Sequence, residues 1–349
     1  MIGILTFAAA FCVSYIGVGI YRRWGVHNQV LDFPNERSSH TEPTPYGAGI
    51  VLVFLCLVAY VPISLYIAGP ISWGYFFGAL MVALISFLDD LYKVAFWLRL
   101  LVHSTAAFTL IIDQGTWHGI TMLGLQLGSF GYVVTFIWIV GMVNFYNFMD
   151  GIDGLAGLQA VIAGFGWMML GLMLDMPALY LFSGLIAVSS LGFFFHNWRP
   201  ASIFMGDVGS AFLGFTFAAL PLLARNMANY AWDLLPIAAV LFVWFFLFDT
   251  IVTLVKRAIR GEKVWIAHRE HLFQYLVSSG LSHRTVTLIY GVLASLLTLS
   301  VLVSVRYRED IGLPMFPVVL ALTVALLGIV YSRGIRKPSK NDSSTWPAV

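Results

Sequence analysis

The sequence predicts an all-α, polytopic integral membrane protein with ten or eleven transmembrane helices and its catalytic loops on the cytoplasmic face. Three observations predict it. First, 60% of the 349 residues are hydrophobic, 10% are charged and mean hydropathy is +0.87, a composition far from that of soluble domains. Second, the apolar residues gather in runs of about 17–25, the length needed to span a bilayer. Third, with the N-terminus outside, sixteen of the nineteen Lys and Arg fall in the inner loops and tail, and three (Arg225, Arg306, Arg308) fall outside. Basic residues collect on the cytoplasmic side.

The same composition excludes several classes. Cys12 and Cys56 lie inside apolar runs and form neither a disulfide framework nor a metal spacing. There is no long soluble domain and no basic tract suited to nucleic acid. Met1 leads straight into apolar residues without a basic region or cleavage site, so the first run reads as a retained span. Residues 1–332 form one expected transmembrane domain, and residues 333–349 a polar, disordered tail.

Eleven spans are expected at 2–21, 47–67, 72–88, 98–112, 130–148, 155–174, 178–195, 210–223, 234–254, 286–305 and 313–331. The fourth and eighth are short, which leaves ten or eleven. Between the first two, Pro34, Pro43 and Pro45 prevent a continuous helix. Arg37, Ser38 and His40 in this loop suit anion contact. Gly47 and Gly49 open the second span and permit close approach. The third span ends in FLDDLYKV. Asp89 and Asp90 point about 100° apart on a helix, and their repulsion favours a bound cation or a raised pKa. Lys93 is spaced for a helix pair with Asp89.

The fifth span runs into NFYNFMDGIDGL. Asn144, Asn147, Asp150 and Asp153 are spaced by three, so successive members share a helix face, and Gly151 and Gly154 then loosen the backbone. Carboxylates at a membrane boundary are costly unless something binds there. The seventh span ends in HNWRPASIFMGDVGSAFLG. Asp207 sits between Gly206 and Gly209, and Asn197 and Phe204 suit a planar base. The ninth span carries Asp249 before Lys256, Arg257 and Arg260. In AHREHLFQ, His268, Arg269 and His271 suit phosphate contact. His283 and Arg284 read as ordinary inner-loop residues.

These polar groups fall on one predicted membrane face. An aspartate-rich site with a basic rim suits a polyanion held through a divalent cation. Carboxylate and phosphate charges about 4 Å apart repel by roughly 4 kcal/mol at an effective dielectric of 20. Mg²⁺ reverses that sign and takes oxygen ligands. No Cys/His cage points to zinc. The pattern therefore predicts Mg²⁺-dependent phosphoryl transfer, with Mn²⁺ as a substitute metal. A secondary transporter of an anion is the alternative class. A CDP-alcohol phosphotransferase would need a compact aspartate motif on one helix, which is missing.

PTPYGAGI, FLDD, NFYNFMDGIDGL, FMGDVGS and HREHLFQ, in that order, resemble the polyprenyl-phosphate N-acetylhexosamine-1-phosphate transferases (glycosyltransferase family 4). This superfamily includes the phospho-N-acetylmuramoyl-pentapeptide translocase, and the resemblance spans about residues 32–274. It implies transfer of a sugar-1-phosphate from a UDP-N-acetylhexosamine to undecaprenyl phosphate, with release of UMP, at the bacterial inner membrane. It also implies Mg²⁺, with Asp207 and Asp89 as metal ligands and Asp89, Asp90, Asp150 and Asp153 as catalytic residues. Asn147, Asn197, Phe204, His268, Arg269 and His271 would contact substrate, with Phe204 stacking on uracil, and the residue reading adds Asn144, Arg37 and His40 to these contacts. Gln274 stands where some branches have His. That resembles the branch initiating O-antigen or related surface polysaccharides. The expected partners are the UDP-sugar, undecaprenyl phosphate, the bilayer and a second copy of the chain, with no nucleic acid.

Overall fold

The computed structural model describes residues 2–33, 42–67, 71–117, 119–120, 125–225, 234–265, 268–307 and 314–333. Arg37, His40 and the tail from residue 334 lie outside the described residues. Among the described residues the chain is helical almost throughout: α1 (Ile2–His27), α2 (Gly49–Tyr66), α3 (Trp73–Tyr92), α4 (Phe96–Gln114), α5 (Phe130–Phe148), α6 (Leu155–Met173), α7 (Pro177–Asn197), α8 (Asp207–Arg225), α9 (Leu234–Phe242), α10 (Trp244–Ile259), α11 (Leu272–Ser278), α12 (His283–Arg306) and α13 (Met315–Ser332). Ten of these helices are long and apolar enough to cross a membrane, and counting the bent pair α9–α10 as one span gives eleven. The protein is an all-α, polytopic membrane protein, as its apolar runs predict.

The spans extend past the apolar runs at the end that carries the carboxylates. Helix α3 continues through Asp89 and Asp90 to Tyr92, and α8 begins at Asp207 itself. The largest departure is the ninth run. It is two helices that meet at Val243 with a bend of 72°. A side chain inserts at the break, where Gln159 on α6 donates its amide N–H to the Phe242 carbonyl at 2.7 Å. A freed carbonyl at membrane depth is tolerated when another group satisfies it.

Helix α8 is the axis of the bundle. In its span 94% of residues are buried, against 17% in α1 and in α13. It packs on α5 and α3, while α7 lies between α6 and α1. Helix α2 crosses α8 where a Cβ on Gly49 would lie 2.2 Å from Gly209 Cα, so only paired glycines allow the contact. The chain leading to α2 is pinned alongside the chain leading to α8. A short antiparallel ribbon, β1 (Leu31–Asp32) and β2 (Thr44–Pro45), ends there. Beyond it the Pro45 carbonyl accepts the Phe204 N–H at 2.8 Å, and the Ala48 and Gly49 N–H groups donate to Phe204 and Met205 carbonyls. PTPYGAGI thus straps the start of α8 to the end of α3, where Tyr46 donates its hydroxyl to the Asp90 carbonyl at 2.8 Å.

Candidate active site

The two adjacent aspartates of α3 do different work. Asp90 accepts the backbone N–H groups of Asp207 and Val208 at 2.9 and 3.1 Å. It satisfies two orphan donors of α8 and places its charge at the positive end of that helix. Gly206, at φ 77°, turns the chain into α8, and a Cβ there would sit 2.7 Å from Asp90 Oδ2. Asp89 turns the other way. Its Oδ1 accepts the Val94 N–H at 2.6 Å, and its Oδ2 pairs with Arg99 on α4. The same Arg99 nitrogen is 3.2 Å from Asp207 Oδ2. Lys93 does not pair with Asp89. It leaves α3 in the left-handed region (φ 52°) and donates its backbone N–H to the Asp89 carbonyl.

Arg99 and Asp207 stand at the rim of a cavity of about 330 Å³, and Asp89 is held beside it through Arg99. Its walls carry Asn144, Asn147 and Phe148 from α5 and Val264, Trp265, His268 and His271 from the segment after α10. Asn147 donates to Ser210 Oγ at 2.9 Å, tying α5 to the first turn of α8. Asn144 donates to the Val140 carbonyl at 2.7 Å.

The DGIDG loop splits its two carboxylates. Burial, reinforced by the Asp207 carboxylate, pushes Asp150 up to about 7. Asp153 is turned away, into a buried network. Its Oδ1 lies 3.3 Å from His283 Nδ1, and its Oδ2 accepts the Ala201 N–H at 3.3 Å and faces Arg199 at 3.9 Å. Burial disfavours its charge, but His283, the Ala201 N–H and Arg199 outweigh burial and hold the carboxyl below its ordinary value. His283 is therefore no ordinary loop residue: it is buried at the start of α12. Asn197 accepts the Gly154 N–H and donates to the Ile203 carbonyl, both at 2.9 Å, so it joins the DGIDG turn to the Phe204 strap. Phe204 itself is half-buried in that strap.

Beyond α10, Asp249 organises the histidine segment. It is fully buried and accepts the Leu272 and Phe273 N–H groups at 2.8 and 3.1 Å and the Tyr290 hydroxyl at 2.6 Å. Its Oδ1 also lies 3.1 Å from His271 Nδ1. The carboxylate thus holds the start of α11 and the Nδ1 edge of the His271 ring, while that residue lines the cavity. Gln274 accepts the His271 N–H at 3.2 Å, the return half of a capping box. His268 stands 4.9 Å from His271, ring to ring. Burial, the His271 ring and Arg257 hold its imidazole below the ordinary value. Arg269 is exposed. Arg257 and Arg260 each pair with both Glu262 and Glu270, clamping the segment to the end of α10.

The structure therefore brings together Asp89, Asp207, Asn144, Asn147, His268 and His271. It gives Asp90, Asp153 and Asn197 backbone and buried partners next to them. Arg99, His103, Asp249 and His283 are additions that sequence reasoning missed. A single Arg at a helix start looks like an orientation signal, and Asp249 looks like part of a basic helix end. His103, eight residues into a span, carried a usable signal: an ionisable group inside a membrane helix is a functional candidate by default.

A divalent cation fits the rim. Asp89 and Asp207 already share one cationic group, the Arg99 guanidinium, and the donors around it are carboxylate and amide oxygens. Among the described residues no three His, Cys, Asp or Glu side chains form a metal cage. Two carboxylates with substrate phosphates completing the shell is the usual way Mg²⁺ is held.

Residues 72–225 match glycosyl transferase family 4. That segment contains the α3 aspartates, NFYNFMDGIDGL and Asp207. The chain is 27% identical over 303 residues to a probable undecaprenyl-phosphate N-acetylglucosaminyl 1-phosphate transferase of Bacillus subtilis, covering 84% of each chain. It is 27% identical over 317 residues to a decaprenyl-phosphate N-acetylglucosaminephosphotransferase of Mycobacterium leprae, covering 80% of this chain and 78% of the relative. It is 26% identical over 243 residues to a phospho-N-acetylmuramoyl-pentapeptide-transferase of Listeria monocytogenes, covering 63% and 75%.

Proposed function

We propose, from the match of residues 72–225 to glycosyl transferase family 4, that the chain moves an N-acetylhexosamine-1-phosphate from a UDP-sugar to undecaprenyl phosphate, releasing UMP. The observation that carries this reading is the convergence of Asp89 and Asp207 on one cationic group at the rim of a cavity walled by Asn147, His268 and His271. The relatives' names favour N-acetylglucosamine as the sugar. Initiation of O-antigen or another envelope polysaccharide is the proposed role, in the bacterial inner membrane with the cavity facing the cytoplasm. Residues 1–332 act as one transferase domain in this reading.

In this reaction an oxygen of the acceptor phosphate attacks the sugar-bearing β-phosphorus. A new P–O bond forms, the bond from that phosphorus to the bridging oxygen breaks, and UMP leaves with the bridging oxygen. Asp89 and Asp207 would hold Mg²⁺, which supplies charge neutralisation on the transferring phosphate. Arg99 exchanges its carboxylate partners for phosphate oxygens. His268, Arg269 and His271 hold the donor's phosphates, and Asn147 keeps α5 fixed against α8. Asp90 holds Asp207 in place through the backbone of α8. The acceptor is a phosphate monoester with a second pKa near 6, so most of it arrives ionised. In this reading Asp150, whose carboxyl is raised to about 7 by burial and then by Asp207, takes the remaining proton.

The test is UMP release by the purified chain with undecaprenyl phosphate, Mg²⁺ and a panel of UDP-N-acetylhexosamines. Metal- and lipid-dependent UMP from one sugar is expected, and Asp207→Asn should abolish it in folded protein. The bent α9–α10 pair is also a feature of transporters. Absence of UMP from every donor, together with absence of nucleotide binding, would move that reading ahead.

A further inference from the structure

The cavity has a floor that the transferase chemistry above leaves unassigned. Each of three helices contributes one residue at the rim and one a single turn further from the helix end. On α4 the pair is Arg99 and His103, on α5 Phe148 and Asn144, and on α8 Asp207 and Ala211, while α3 adds Ser86, one turn before Asp90. One helical turn is about 5.4 Å. The cavity thus drops that far below the carboxylates, into the membrane-spanning layer.

His103 is the unusual member of this floor. It lies about 10 Å along α4 from Phe96, at 1.5 Å per residue. It is 5% exposed, it lines the cavity, and neither ring nitrogen has a hydrogen-bond partner. An imidazole buried in a span without partners is costly. Buried polar groups are retained unpaired where something else completes them. Asn144 lines the same cavity and spends an amide N–H on the Val140 carbonyl.

Resting on the transferase reading, we infer that this floor is the acceptor subsite, with His103 donating a hydrogen bond to a phosphate oxygen of the membrane-held lipid phosphate. Phosphate also reaches this cavity on the nucleotide sugar, so the chemistry alone names a phosphoryl oxygen. Depth selects between the two. A soluble nucleotide sugar enters at the rim, past Trp265 and His268. A lipid phosphate is tethered to a chain held in the bilayer and approaches at the level of the spans. Arg99, one turn above His103 on the same helix, stands at the rim against Asp89 and Asp207, so an acceptor oxygen held by His103 is presented upward to the donor phosphorus.

The test uses the full chain in nanodiscs of neutral lipid, with thermal unfolding read on titration with undecaprenyl phosphate, undecaprenol or UMP in the presence of Mg²⁺. Undecaprenol carries the chain without the phosphate and gives the baseline. His103→Phe keeps the volume and removes both nitrogens. It should weaken the response to undecaprenyl phosphate by about tenfold, the scale of one hydrogen bond to a charged group. The UMP response should be unchanged, and the KM for acceptor should rise while that for donor stays. His103→Gln, which keeps an N–H donor, should recover most of the acceptor response. An unchanged acceptor response in His103→Phe, or a loss confined to UMP, overturns the subsite. If the Phe variant does not fold, His103→Asn takes its place under the same criteria, because its shorter amide cannot span the same gap. A wild-type chain that shows the phosphate-dependent shift but releases no UMP from any donor would keep the subsite and overturn the reaction.

Discussion

Asp90 on α3 holds Asp207 on α8 through the backbone: its Oδ1 accepts the Asp207 N–H at 2.9 Å, and its Oδ2 accepts the next N–H, that of Val208, at 3.1 Å. The two carboxylates are therefore not interchangeable. Asp90 is spent on fixing the helix that presents Asp207 to the cavity. Asp90→Ala should cost about 1–2 kcal/mol of stability, the scale of a lost helix cap, and should lower turnover by displacing Asp207. Asp90→Asn keeps one acceptor oxygen and should lie between the two. Thermal unfolding alongside UMP release checks this. An Asp90→Ala protein of wild-type stability that is inactive would instead assign Asp90 to the chemistry directly.

Asp249 should behave as a positioning residue for His271. Removing its carboxylate orphans the Leu272 and Phe273 N–H groups and the Tyr290 hydroxyl, all buried. Each unsatisfied buried group costs about 1–3 kcal/mol, so Asp249→Ala should be the most destabilising single change at this site. Asp249→Asn is the milder probe. Its effect on kcat should be non-additive with that of His271→Ala, since both act on one ring. Fully additive losses would show that Asp249 serves stability alone.

Asp150 gives a pH signature in metal-free protein. Its folded pKa is about 7, raised by burial and then by Asp207, whereas an unfolded Asp titrates near 3.9. Between those values the folded chain binds more protons than the unfolded chain. Its contribution to stability is therefore present below pH 4 and is lost as pH rises toward 7. Asp150→Asn should remove that slope. Unfolding in EDTA at pH 5, 6 and 7 measures it, and an identical slope in the variant would show that another group titrates.

Much of the fold was legible because membrane spans are written as long apolar runs. The fifth is expected at 130–148, the bounds at which α5 forms. The break at Val243 was not legible, because neither Gly nor Pro marks it. Its stabilising partner, Gln159, lies on another helix. The site was half legible for a related reason. Asp89, Asn147, Asp207 and His271 sit in motifs whose spacing can be read along the chain. Arg99, His103, Asp249 and His283 act through partners on other helices, so their roles appear only when α3, α4, α10 and α12 are brought together. Asp153 and Asn197 show the converse. They stand in a conspicuous motif, yet they contact His283, Arg199 and the backbone of Gly154, Ala201 and Ile203.

Arg99 occupies the position a divalent cation would take between Asp89 and Asp207, so the two should compete. Without Arg99, two carboxylates about 4 Å apart repel by roughly 4 kcal/mol at an effective dielectric of 20. Arg99→Gln should therefore lower stability in EDTA. A bound cation relieves the same repulsion, and a ligand that binds only the folded state stabilises it in proportion to its occupancy. The variant should accordingly gain more in melting temperature on adding Mg²⁺ than wild type does, and should reach half-saturation at lower Mg²⁺. Turnover should still fall by a hundredfold or more (about 2.7 kcal/mol or more in barrier height), because the guanidinium is then missing from the phosphates. Asp207→Asn supplies the control, since it should abolish the Mg²⁺ response. Equal Mg²⁺ responses in wild type and Arg99→Gln would place the cation elsewhere in the cavity and leave Arg99 as a structural tie between α3, α4 and α8.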